Sequence, residues 1–162
     1  MDRMPGGTEV VEHEIRVEAP PEAVFDYFTD PAKLVRWMGD EATLDPRPGG
    51  VCRLAIGVVT MVGEYVEVTP PRRLVLRWGF QGAVAGVPPV STEVEVNFEA
   101  QDGGTRVRLT HRRLPAEGVE FHTVGWTHFM RRLGVAGAGA DPGPDEWLVQ
   151  AQRQMRLGEG RE

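Results

Sequence analysis

The 162-residue chain sets 18 basic against 24 acidic residues, for a net charge of -6, and has no basic block; nucleic acid and anionic membrane both demand clustered positive charge and are excluded as partners. Cys52 is the single cysteine, which rules out an internal disulfide and a multi-cysteine zinc site. The first residues carry no apolar signal core, and no run approaches the roughly 20 apolar residues that cross a bilayer, so a cytoplasmic, single-domain protein with room for a core and a cavity is expected.

From Glu9 to Glu18 the residues alternate, with Val11, His13, Ile15 and Val17 on one face, as in a half-buried strand. Pro20 and Pro21 then start a helix whose apolar positions Val24, Phe25 and Phe28 recur at helical spacing. Thr29-Asp30-Pro31 ends it and begins another, with Asp30 at the N-cap and Pro31 at the first helical position. Leu34, Val35, Trp37 and Met38 follow, and Gly39 releases the chain. Two such short helices have no core of their own, so they are expected to lie on a sheet.

Cys52, Leu54 and Ile56 form the apolar face of the next clear strand, and Leu74, Leu76, Trp78 and Phe80 that of a later one. Between them, residues 60–69 are ambiguous: Val62, Val66 and Val68 bring Glu64 with them, whereas Met61 and Tyr65 bring Glu67. One glutamate points inward unless a bulge intervenes, either as a polar anchor or paired with an arginine such as Arg53 or Arg77. Asp102-Gly103 is a two-residue hairpin turn that sets Val94 opposite His111, Val96 opposite Leu109 and Phe98 opposite Val107. On the other face it sets Glu93, Asn97 and Glu99 opposite Arg112, Arg108 and Arg106. Hydrophobic pattern and turn chemistry choose this register independently.

Residues 120–133 carry Trp126, Phe129, Met130 and Leu133 at helical spacing, with Arg131 and Arg132 in the last turn and Gly134 as the expected C-cap. A glycine- and proline-rich linker follows. Beyond it an amphipathic stretch places Trp147 and Leu148 where they can dock back as a lid.

The run from Val17 to Trp37, then Arg47-Pro48-Gly49-Gly50, Gly63 to Leu74 with Pro70-Pro71, and Leu109-Thr110-His111 with His122, Gly125 and Trp126, resembles the family of activator of heat-shock protein ATPase homologues. That family belongs to the START-like, or SRPBCC, helix-grip superfamily. The resemblance implies an α+β fold: a curved antiparallel sheet of six to seven strands wrapped around a long C-terminal helix, with two short helices after the first strand. It implies a START-like ligand-binding domain over residues 8–134; where the family's long helix usually continues, the composition here reads as a linker at 135–144 and a short C-terminal helix at 145–157.

A sheet gripping a helix leaves a pocket wherever facing side chains do not meet. The expected lining is Trp37, Leu54, Trp78, Phe80, Val94, His111, His122, Trp126 and Phe129, although packed core is the commoner role for any one of these. Such a set suits a small apolar or aromatic molecule, including a lipid. The alternative is a polyketide cyclase, aromatase or dehydratase with His111 or His122 as acid or base and the inward glutamate as its partner. A co-chaperone-like stress protein is the third reading, and a homodimer is compatible with all of them. His13 shares the ambiguity of the other histidines, and His128 is expected to face away from Trp126. No catalytic residue is assigned. No metal or cofactor is expected, because the four histidines show no helical pair and residues 134–143 lack the lysine and hydroxyl of a phosphate loop. Ser91, the only serine, sits in no nucleophile elbow.

Overall fold

Proline and aspartate decide where the first helices begin. In the computed structural model, which describes residues 7–145, strand β1 (Glu9–Val17) leads to α1 (Pro21–Thr29) and α2 (Pro31–Leu34), each with a proline at its start. The Asp30 carboxylate accepts a hydrogen bond from the Ala32 amide at 2.9 Å, capping α2. Val24, Phe25 and Phe28 are the buried face of α1. The remaining strands are β2 (Glu41–Leu44), β3 (Val51–Ile56), β4 (Val59–Thr69), β5 (Arg73–Trp78), β6 (Thr92–Gln101) and β7 (Gly104–Leu114). They form one curved antiparallel sheet in the order β1-β7-β6-β5-β4-β3-β2, and α3 (Val119–Gly137) packs across its concave face. This is the expected α+β helix-grip arrangement.

The β6–β7 hairpin has the register that the turn dictates, with Val94 opposite His111 and Phe98 opposite Val107. Asp102 and Gly103 both adopt positive φ, 47° and 82°, the twist a two-residue hairpin needs. On the solvent face Arg112 bonds Glu93 and Glu95, each at 2.9 Å, so the polar side of the sheet is tied across its strands.

In β4 a bulge settles the ambiguity over the glutamates. The register shifts between Tyr65 and Glu67, so Met61 and Tyr65 are buried, Val66 is exposed, and Val68 returns to pack on the core. Neither glutamate enters the core. Glu64 lies opposite Arg77, and Glu67 accepts a hydrogen bond from Arg73 at 3.1 Å.

Helix α3 takes in Val135, Ala136 and Gly137, which the sequence assigns to the linker. Gly134 is therefore not its C-cap. Here the glycines serve close packing: Ile15 lies beside Gly134, and a Cβ at Gly137 would overlap the Val17 side chain. The last turn can thus press onto β1, with Ala136 buried between. The helix expected at 145–157, with Trp147 and Leu148, lies outside the described residues beyond Asp145.

Candidate functional site: a small apolar cavity backed by two Trp–His pairs

Strand alternation sends Trp78 of β5, Val94 of β6 and His111 of β7 to the concave face, while helical periodicity brings His122 and Trp126 down onto them. The two aromatic pairs cross between sheet and helix. Trp126 of α3 donates its indole N–H to Nδ1 of His111 at 3.0 Å, and Trp78 donates its own to Nε2 of His122 at 3.1 Å. The two imidazoles meet edge to face with centroids 4.6 Å apart, and the two indoles lie 5.0 Å apart.

The partners on the far side of each ring fix the tautomers. Thr92 donates its hydroxyl proton to the Trp78 carbonyl at 2.7 Å, so at 2.8 Å it accepts from Nε2–H of His111. His122 donates Nδ1–H to the Gly118 carbonyl at 2.8 Å. An indole nitrogen only donates, so both histidines must present a bare nitrogen to their tryptophan. A second proton on either ring would set two N–H groups against each other. Burial holds His111 well below the ordinary imidazole range, with repulsion from His122 adding to it. His122 is lowered by burial as well, partly opposed by the Gly118 carbonyl. In this arrangement neither imidazole is free to take up or hand over a proton.

In front of these pairs lies a small, partly enclosed apolar cavity of about 30 Å³. Leu54, Trp78, Val94 and Trp126 line it, together with Leu34, Met38 and Met61. A volume of about 10–15 Å³ on this measure holds one water, so the cavity as it stands is too small for an aromatic ligand, and its apolar wall keeps it dry.

The nine expected site residues separate into three groups. Leu54, Trp78, Val94 and Trp126 form the wall. His111 and His122 stand behind it, with Phe80 5.7 Å from Trp78 on the outer side. Trp37 and Phe129 are buried elsewhere: Trp37 packs on Phe28 and donates to the Tyr27 carbonyl at 2.9 Å, and Phe129 packs on His128. Thr92, which fixes the His111 tautomer, went unnoticed in the sequence, although it shares a strand face with Val94. Met61 was obscured by the β4 bulge.

Cys52 also touches the cavity, but burial pushes its thiol up to about 11, which leaves it a poor nucleophile. His13 lies on the inner side of β1 and is lowered by partial burial. His128 faces the other way, 2.8 Å from Asp145. Among the described residues no three potential ligands converge on a metal position, and no helix is long and apolar enough to cross a membrane.

The model of the family described as activator of Hsp90 ATPase homolog 1-like protein matches residues 18–137. No curated protein matches the chain. Among solved structures, an AHSA1-like protein from Rhizobium etli is 41% identical, over 90% of this chain and 91% of that one, with a TM-score of 0.67. DynU16, a protein in the dynemicin biosynthetic locus, is 25% identical over 82% of this chain, with a TM-score of 0.70. The match takes in 49% of DynU16, so this chain spans about half its length. An HSP90 activator from Plasmodium falciparum is 27% identical, over 80% of this chain and 96% of that one, with a TM-score of 0.64.

Proposed function

The chain belongs to the activator of Hsp90 ATPase homolog 1-like family, and within it we propose a binding role: a small, neutral, apolar or aromatic molecule is held between α3 and the sheet. The observation that carries this is the small, partly enclosed apolar space walled by Trp78 and Trp126. Both indole N–H groups are already bonded behind it, so the cavity offers a ligand apolar surface and no donor. Charged ligands are disfavoured, because nothing on the wall replaces their hydration. Occupancy requires the cavity to grow toward the few hundred Å³ of ordinary ligand sites. The side chains best suited to give way are Met38 and Met61, unbranched and adaptable. A cytoplasmic site of action belongs to the same proposal.

The test is a series of neutral bicyclic aromatics assayed by tryptophan emission and thermal melting. A ligand that binds only the native state adds about 2.7 kcal/mol at one hundred times its dissociation constant. Leu54→Ala, which enlarges the cavity, should tighten binding. If no compound shifts either signal in the parent or in Leu54→Ala, the binding role is lost.

Acid–base use of His111 or His122, as a cyclase would need, runs against their hydrogen bonds, since each basic nitrogen is occupied by an indole donor. A second reading rests on the HSP90 activator that this chain matches over nearly its whole length. It predicts a rise in the ATPase rate of a purified Hsp90-type chaperone on adding the protein, and an unchanged rate removes it.

A further inference from the structure

We propose that Arg132 latches the seam between α2 and α3, and that this seam is the way into the apolar cavity. The assignment rests on reading that cavity as a ligand site. Leu34 and Met38 belong to its wall, and Trp37 stands between them in sequence. Arg132 reaches from α3 to donate Nε–H to the Trp37 carbonyl at 3.2 Å, bridging the two sides of the seam.

The α2 side is held to the core by burial, for Leu34, Trp37 and Met38 are all buried, Trp37 completely. Helix α2 is a single turn, too short to persist without tertiary support. Its internal anchors, the Asp30 cap and the bond from the Trp37 indole to Tyr27, tie it to α1 and not to α3. The polar tie from α3 to segment 31–38 is the bond from Arg132, so opening it loosens this side of the wall while the buried side chains keep it seated.

The guanidinium is in turn positioned by the chain that follows α3. Gly139 and Gly143 adopt φ of +91° and +79°, and the backbone doubles back along the helix. Arg132 donates to the Gly143 carbonyl at 3.0 Å and to the Pro142 carbonyl at 3.5 Å. The Asp145 carboxylate lies 3.8 Å from its Nε and 2.8 Å from His128 Nε2. The Arg132 side chain is only 13% exposed, so its charge depends on this returning strap for compensation. Displacing the strap frees Arg132, and freeing Arg132 loosens the seam at α2. Arg132 and Asp145 act as positioning residues: the ligand meets the wall, and these two decide how readily the wall opens.

Hydrogen exchange on the full chain tests the latch without any ligand. The amides of Trp37 and Met38 both bond to the Leu34 carbonyl and report opening of segment 31–38. In Arg132→Gln they should exchange roughly 10- to 100-fold faster, the range a lost hydrogen bond from a charged group gives, while β6 and β7 amides stay protected. Asp145→Asn should show the same pattern more weakly, and it carries the test if Arg132→Gln fails to fold. Stopped-flow binding of N-phenyl-1-naphthylamine, a neutral fluorescent aromatic, supplies the second arm. Association and dissociation rates should rise together in both variants, with a smaller change in dissociation constant. Unchanged exchange at Trp37 and Met38 overturns the latch. Faster exchange with unchanged probe rates overturns the seam as the entry. Faster exchange with no probe binding to any variant supports the latch and removes the ligand reading instead.

Discussion

Trp126 and His111 face each other across the helix–sheet interface with the indole N–H aimed at a bare imidazole nitrogen 3.0 Å away. Trp78 and His122 repeat the relation in the opposite sense, tryptophan on the sheet and histidine on the helix. Thr92 and the Trp78 carbonyl join the two pairs, so α3 is held to β5, β6 and β7 by directional bonds inside an apolar core. These bonds strengthen in low dielectric but leave costly orphans when broken.

His111→Ala is therefore expected to destabilise the protein by about 2–4 kcal/mol, combining a core cavity with an unsatisfied Trp126 donor and a lost partner for Thr92. Urea denaturation followed by far-ultraviolet circular dichroism measures it. A loss below about 0.5 kcal/mol, the level of an ordinary surface change, would show that the paired rings do not hold the helix.

Stability should be level from pH 6.5 up to the alkaline range, where the unfolded Cys52 thiol ionises near 9.0, and fall as the pH drops below 6.5. The unfolded histidines take up protons near 6.5, whereas His111 and His122 in the native state stay neutral to lower pH. Each adds a slope of up to about 1.4 kcal/mol per pH unit between its native and unfolded values. His13 is lowered too, but it is more exposed and contributes less. Glu14, held low by Arg106, and Glu95, held low first by the Asn97 amide and then by Arg112, lose their contribution only below their ordinary 4.5, which leaves a window between 4.5 and 6.5 for the histidines. Equilibrium urea titrations at half-unit pH steps should show the slope reduced in His111→Ala.

Two glycines of α3 should respond oppositely to alanine. At Gly125 a Cβ meets nothing within 4 Å, so Gly125→Ala should stabilise by about 0.5–1 kcal/mol through helix propensity. At Gly137 the added carbon overlaps Val17, and the crowding should outweigh the same gain, costing about 1–3 kcal/mol. Thermal melts of the two variants decide this, and a stabilised Gly137→Ala would mean that the helix end is not pressed onto β1.

Cys52 should resist alkylation in the native protein at pH 8, because its thiol is buried and pushed up to about 11. Iodoacetamide labelling followed by mass spectrometry should be slow until urea opens the fold. Rapid modification without urea would place Cys52 at an accessible surface.

Local chemistry that acts over a few residues was legible in the sequence. Proline and aspartate set the starts of α1 and α2, Asp102-Gly103 set the β6–β7 register, and alternation placed Trp78, Val94 and His111 on one face. The tryptophan-lined wall followed from those placements and from the spacing of Trp126. The tertiary structure decided whatever depends on a partner distant in sequence. The bulge that turns both Glu64 and Glu67 outward exists in the pairing of β4 with β5, and alternation within one strand is blind to it. Gly134 reads as a helix end until the helix is seen to run on beside β1, where lack of a side chain serves contact instead of termination. Histidine chemistry was decided in the same way: a pocket imidazole is a proton shuttle or a satisfied acceptor according to what faces each nitrogen, and those partners come from four separate elements. The bond from Arg132 to the Trp37 carbonyl, 95 residues apart, is of the same kind, and no spacing rule connects them.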